Sequence, residues 1–162
     1  MLTLTVGTVL VGAIMVAHGW WQVGVAEGKT TGWLAAIVGT ILGVSVAFGT
    51  VKSPELGLLF ALWAIYAFMV AGAGIQGHGT RALGFYGGFS SVAYLIYVIF
   101  FARDNDAMGT AVTGVLAGSF FLLFLYMAPP LRALARVVAW IFIIGGAAVS
   151  VIGFAELLGA TF

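Results

Sequence analysis

Charge is what this sequence has least of. Asp, Glu, Lys and Arg make up 7% of its 162 residues, against about 25% in soluble proteins, which excludes a water-soluble domain. The eleven charged side chains (six Lys and Arg, five Asp and Glu) are also confined to certain places. Glu27 and Lys29, Lys52 and Glu55, Arg81, then Arg103, Asp104 and Asp106, then Arg132 and Arg136 occupy five gaps between apolar stretches. Glu156 lies near the end of the last stretch, and no charge stands in the middle of one. A charge at a bilayer centre is costly, so ion and proton pathways usually show themselves as ionisable groups inside a span. Their absence favours a conduit for something neutral over a pump or an ion-coupled carrier.

Cysteine is missing altogether, which rules out disulfides, thiolate metal ligands and cysteine catalysis. There is no Ser-His-Asp set, phosphate-binding glycine loop or paired carboxylate, so enzyme chemistry finds no support. With no basic cluster and a net charge of +1, nucleic acid is not an expected partner. The two histidines, His18 near the end of the first stretch and His78 in a gap, have no Cys, Asp or Glu at ligand spacing. They do not make a facing pair on two helices either, so no metal, haem or other cofactor is expected. His18 is expected to line a polar pore mouth or to cap packing. The first stretch starts at Met1 without a basic leader and reads as a retained span, not a cleaved signal. Apolar runs fill nearly all of the sequence and leave no room for a separate aqueous domain.

What the sequence does have is hydrophobic length: 63% of it is apolar. A hydrocarbon core of about 30 Å needs roughly 20 helical residues per crossing. Cut at its charged gaps, the chain gives six such segments, near 2–22, 31–50, 56–75, 82–102, 109–128 and 134–158. The runs are too long for barrel strands and do not alternate. The expectation is an all-α integral membrane protein, one six-helix domain over 1–162, with short links joining successive helices into three antiparallel hairpins. Loops one, three and five carry Lys29, Arg81, Arg132 and Arg136, and loops two and four only Lys52 and Arg103. The excess of Lys and Arg places the odd loops in the cytoplasm and both termini outside. Trp20, Trp21, Trp33 and Trp140 fall near the odd-loop ends, as an interfacial belt would, whereas Trp63 is nearer mid-membrane.

The 24 glycines include Gly39-x-x-x-Gly43, Gly84-x-x-x-Gly88 and Gly114-x-x-x-Gly118. Small residues at this spacing let helices approach closely, so these motifs read as packing within or between protomers. Side chains expected near mid-membrane are Leu62, Trp63 and Tyr66 on span three, Ser90 and Ser91 on span four, and Ser119, Phe120 and Phe121 on span five. Leu62 and Tyr66, four apart, share a helix face. The set is aromatic and hydroxylic without charge. It suits a narrow path for a small, flat, uncharged polar solute, with hydroxyls to bond it and rings to limit the bore. The plainer alternative has Phe120 and Phe121 facing lipid or a neighbouring helix and the serines bonding their own backbone carbonyls.

Several short motifs follow one another along the chain: His18-Gly19, Lys29-Thr30-Thr31 and Val38-Gly39, then Gly57-Leu58-Leu59-Phe60 followed by Tyr66, then Gly84-Phe85-Tyr86, and finally Trp140, Ile143, Ile144 and Gly146. Their order and spacing resemble the AmiS/UreI family of urea and short-amide channels. The resemblance runs through nearly the whole chain. It implies a passive channel for urea or small aliphatic amides in a bacterial cytoplasmic membrane, with one pore per protomer. It also implies a homo-hexameric ring around a lipid-filled centre. Carried over by position, Leu62 and Tyr66 would form the constriction on span three, joined by Ala117, Phe120 and Phe121 on span five. His18 would replace the family's asparagine on span one. Where the family's urea channels have a tryptophan-rich fifth span, this chain has Gly114, Ala117 and Phe121, and Gly145 replaces a span-six glutamate; both changes would widen the bore. The long, His- and carboxylate-rich external loops of the acid-gated member are absent, so acid gating by that mechanism is not expected. Two other readings are a non-conducting accessory subunit of a larger membrane complex and a proton-coupled carrier, the latter disfavoured by the missing intramembrane charges.

Overall fold

In a computed structural model of the chain, residues 4–49, 51, 54–129 and 131–159 are described. Lys52 therefore lies outside the described residues, as do the ends expected for spans one and two at 2–3 and Thr50. Six helices follow in order: α1 (Leu4–Gln22), α2 (Gly28–Ala47), α3 (Pro54–Gln76), α4 (Arg81–Arg103), α5 (Ala107–Met127) and α6 (Ala135–Leu157). A single 3₁₀ turn, Arg132–Leu134, precedes α6. Each helix has 19 to 23 residues and is long and apolar enough to cross a membrane. At 1.5 Å per residue they reach roughly 28 to 35 Å, the thickness of a hydrocarbon core. The chain is a multi-pass, all-helical bundle.

The charged gaps mark the helix ends well, but several charges sit on the helices themselves. Lys29, Glu55, Arg81, Arg103 and Arg136 all fall in a first or last turn, where a long side chain can reach the interface from a helix that continues past it. Local chemistry sets the ends. Pro54 opens α3, where its missing N–H leaves nothing unpaired. The Asp106 carboxylate accepts the Gly109 N–H at 2.8 Å and caps α5. Between α4 and α5 only residues 104–106 turn the chain, and Asn105 takes the left-handed conformation the turn needs, at φ 55°.

Sequence neighbours do adjoin, and α6 closes the ring against α1. The tight pairs, however, are α2 with α3, α4 with α5, and α1 with α6; α1–α2, α3–α4 and α5–α6 meet loosely. The expected trio of successive hairpins is corrected accordingly. Close approach follows small residues, not loop length. In α1 and α6 these recur every seven residues: Thr5, Gly12 and Gly19 face Gly153, Gly146 and Ala139 in antiparallel register. A Cβ on Gly146 would lie 2.6 Å from the Gly12 carbonyl oxygen, and one on Gly19 2.6 Å from that of Ala139. Gly32 and Gly39 meet Ala71 and Ala67 on α3, and Gly84 and Gly87 meet Ala128 and Phe120. Of the expected four-residue motifs, Gly84 and Gly88 pack on α5 and Gly39 on α3, but Gly118 has nothing near it.

Large apolar side chains cover the outside of the ring. Ile37, Ile41 and Val44 on α2 and Phe89, Val92, Ile96 and Ile99 on α4 are all exposed. In water such a surface would aggregate; in lipid it is ordinary. Trp20, Trp33 and Trp140 are exposed near the odd-loop end, whereas Trp63 is fully buried.

Candidate functional site

The axis of the bundle is filled by a file of aromatic and uncharged polar side chains from α1, α3, α4, α5 and α6. It starts at the odd-loop end. There a hollow of about 470 Å³ lies between Trp20, Gln22, Val23, Arg136, Trp140 and their neighbours. Gln22, in the last turn of α1, lines this hollow and reaches inward, its amide 3.0 Å from His18 Nε2. One turn deeper, the buried His18 ring places Nδ1 2.7 Å from the Tyr66 hydroxyl. Phe142 packs edge-on against this imidazole at 5.3 Å and Trp21 tilts against it at 5.8 Å.

The three groups form a chain whose direction can reverse. With the Gln22 amine toward Nε2, Nδ1–H donates to the Tyr66 oxygen and Gln22 Oε1 is left buried without a partner. Turned by half a rotation, Gln22 Oε1 accepts from Nε2–H and the Tyr66 hydroxyl donates to Nδ1. Both arrangements keep the imidazole neutral.

Beyond Tyr66 the file narrows at Phe120. This ring stands edge-on to Tyr66 at 4.8 Å on one side and to Tyr94 at 5.2 Å on the other. Past it, the Tyr94 hydroxyl adjoins the Trp63 indole N–H, near enough to interact but without a well-formed hydrogen bond. Ser90, one turn from Tyr94 on the same face of α4, has a buried hydroxyl that lies beside Tyr86 without a well-formed hydrogen bond. Each such orphan costs about 1–3 kcal/mol when kept from water. Around them the frame is bonded: Tyr86 donates to the Leu62 carbonyl and Ser91 to the Ala117 carbonyl at 2.9 Å.

His18, Leu62, Trp63, Tyr66, Ser90, Ala117 and Phe120 are therefore all in the interior, and the rings of His18, Tyr66 and Phe120 stack along the file. Phe121 is not among them. It is half exposed on the outer face of α5, near Phe124, because adjacent helical residues point about 100° apart and only one of the two phenylalanines can face the axis. Ser91 bonds across to α5 and not to its own helix. His78 is exposed in the loop between α3 and α4. Among the described residues, no group of three His, Cys, Asp or Glu is placed to hold a metal.

Sequence reasoning missed Gln22, Tyr94 and Phe142. Two of them left a signal: Gln22 lies four residues after His18 and Tyr94 four after Ser90, so each shares a face with a residue already singled out. A search aimed at ionisable groups passes over glutamine. His18, Trp63, Tyr66, Ser90, Tyr94, Phe120 and Phe142 are each completely buried, so the file is sealed in this conformation. Comparison with protein-family models, curated proteins and solved structures finds no match for this chain.

Proposed function

We propose that this protein is a passive channel for urea or short aliphatic amides, with one pore through each protomer. The observation that carries the reading is the axial file itself: neutral hydrogen-bonding groups, interrupted by aromatic rings and walled by five helices. Such groups bond a small neutral dipole, and the rings hold the path to a flat cross-section. Beyond the entrance hollow, which Arg136 lines, no Asp, Glu, Lys or Arg joins the file among the described residues, which leaves no charge to hold an ion inside it. The motifs shared with the AmiS/UreI family point to the same solutes. They also motivate a homo-hexamer in a bacterial cytoplasmic membrane. The sealed file is the resting state, and Phe120 is the group that has to swing aside.

The test is stopped-flow light scattering on proteoliposomes, comparing urea, acetamide and formamide with protein-free vesicles. Protein-dependent, non-saturating uptake without an ion gradient is expected; no uptake of any of the three would sink the proposal. The specific observation favouring a second reading, a non-conducting subunit that only packs in a larger complex, is the complete burial of the file. Tyr66→Phe separates the two. It removes one hydroxyl from the His18 chain without changing volume, and is expected to change the ratio of urea to acetamide permeability several-fold. An unchanged ratio in a conducting protein would remove Tyr66 from the path.

Orientation is testable directly because the chain has no cysteine. Odd loops are proposed inside, so Asp104→Cys should react with an impermeant maleimide on intact cells, and Val25→Cys only after lysis. The reverse pattern would invert the topology. Acid gating is not expected: only residues 104–106 separate α4 from α5, and Asp106 is engaged as a helix cap. Urea flux is expected to be the same at neutral and acidic external pH, and a several-fold rise on acidification would contradict this.

A further inference from the structure

The most unusual chemistry in the molecule is the cluster beyond Phe120. Trp63, Tyr94 and Ser90 are each 0% exposed, yet the indole N–H and both hydroxyls lack a well-formed hydrogen bond. Buried polar groups are nearly always satisfied, so several orphans in one place call for an explanation. Around them the same helices satisfy their hydroxyls fully, as Tyr86 does on Leu62 and Ser91 on Ala117. The orphans are thus local. Two of them adjoin, since the Tyr94 hydroxyl lies beside the Trp63 indole; Ser90 is one turn along the same face of α4, beside Tyr86.

We propose that Trp63, Tyr94 and Ser90 form a binding station for a primary amide, the point where a permeating molecule sheds its last water. The donor and acceptor inventory sets the ligand class. The indole N–H can only donate, so it takes the carbonyl oxygen; the two hydroxyl oxygens can accept, so they take the amide N–H groups. A primary amide or urea carries both functions in one plane. A ketone of the same size lacks the N–H and leaves both hydroxyl oxygens unmet, the kind of mismatch that a polar site rejects strongly. The edge of the Phe120 ring against Tyr94 forms the floor of the station and separates it from the Gln22–His18–Tyr66 chain. This inference rests on the channel reading for its role, but binding at the station is measurable without transport.

The experiment uses full-length protein with ¹⁵N-labelled tryptophan in lipid bilayers. The Trp63 indole resonance is assigned by its loss in Trp63→Phe, then titrated with acetamide and, separately, acetone. The expected result is a saturable shift with acetamide and a much weaker one with acetone. Tyr94→Phe should weaken the acetamide response roughly tenfold, the loss of one hydrogen bond to a bound ligand, and Ser90→Ala should weaken it several-fold. An unmoved resonance in the wild-type protein, or equal shifts with acetamide and acetone, would overturn the station. The wild-type titration decides this even where a variant fails to fold. Acetamide flux measured alongside keeps the two ideas apart. Flux with an unmoved resonance leaves the channel standing without its station, whereas a saturable shift without flux supports the station and removes the channel.

Discussion

Replacing Phe120 with alanine is expected to raise urea and acetamide permeability about tenfold, equivalent to roughly 1.4 kcal/mol off the barrier. Phe120 is the one ring that touches both halves of the file, edge-on to Tyr66 at 4.8 Å and to Tyr94 at 5.2 Å, with Phe142 behind it at 5.9 Å. Any solute moving between the two polar regions must displace it. Removing it leaves a gap lined by two hydroxyl-bearing rings, which water can fill. Selectivity should fall as flux rises, so that butyramide gains more than urea. The substitution also removes packing, and a buried Phe→Ala change costs about 3–5 kcal/mol in soluble cores. Phe120→Leu is therefore the companion variant, with a smaller rise in flux and a milder loss of stability. Folded Phe120→Ala protein with unchanged flux would place the path elsewhere.

The second large effect is on the fold. Gly146→Val is expected to destabilise the protomer by about 3 kcal/mol, the upper end of what overpacking costs. The new Cβ would sit 2.6 Å from the Gly12 carbonyl oxygen and 2.7 Å from Met15 Cβ. The first of these neighbours is backbone and cannot rotate away, so α1 and α6 must separate. Gly118→Val is the control, since a Cβ there meets nothing within 4 Å. Denaturant titration in micelles should show a large loss for the first and little for the second. Equal losses would mean that contact between α1 and α6 is not what the glycine secures.

Most of the architecture is readable from the sequence because a bilayer is a demanding solvent. Every unpaired backbone group inside it is costly, so spans must be helical, and the charges from Glu27 to Arg136 mark where they stop. The pairing of helices is less readable. Gly12, Gly19, Gly146 and Gly153 lie seven apart, two turns of helix, so a scan for glycines four apart passes over the α1–α6 contact and picks out Gly114 and Gly118, of which the first only grazes Val98 and the second meets nothing. The site divides in the same way. Its chemical character, aromatic and uncharged, is visible in Trp63, Tyr66, Ser90 and Phe120. Choosing Phe120 over Phe121 needs the rotation of α5, which sequence periodicity leaves open because that helix is apolar all round.

The contact between α1 and α6 also bears on how the protein is made. Helices enter a membrane in the order of synthesis, and α2 with α3 and α4 with α5 find their close partners within one loop of each other. For α1 the partner is the last of the six. Until α6 arrives, the face carrying Gly12 and Gly19 has only lipid against it, or the looser surfaces of α2 and α3. The axial file, which draws on His18 from α1 and Phe142 from α6, stays open on one side for the same interval. Arrival of α6 is thus the step that closes the ring, locks the first helix in place and encloses the axial file together.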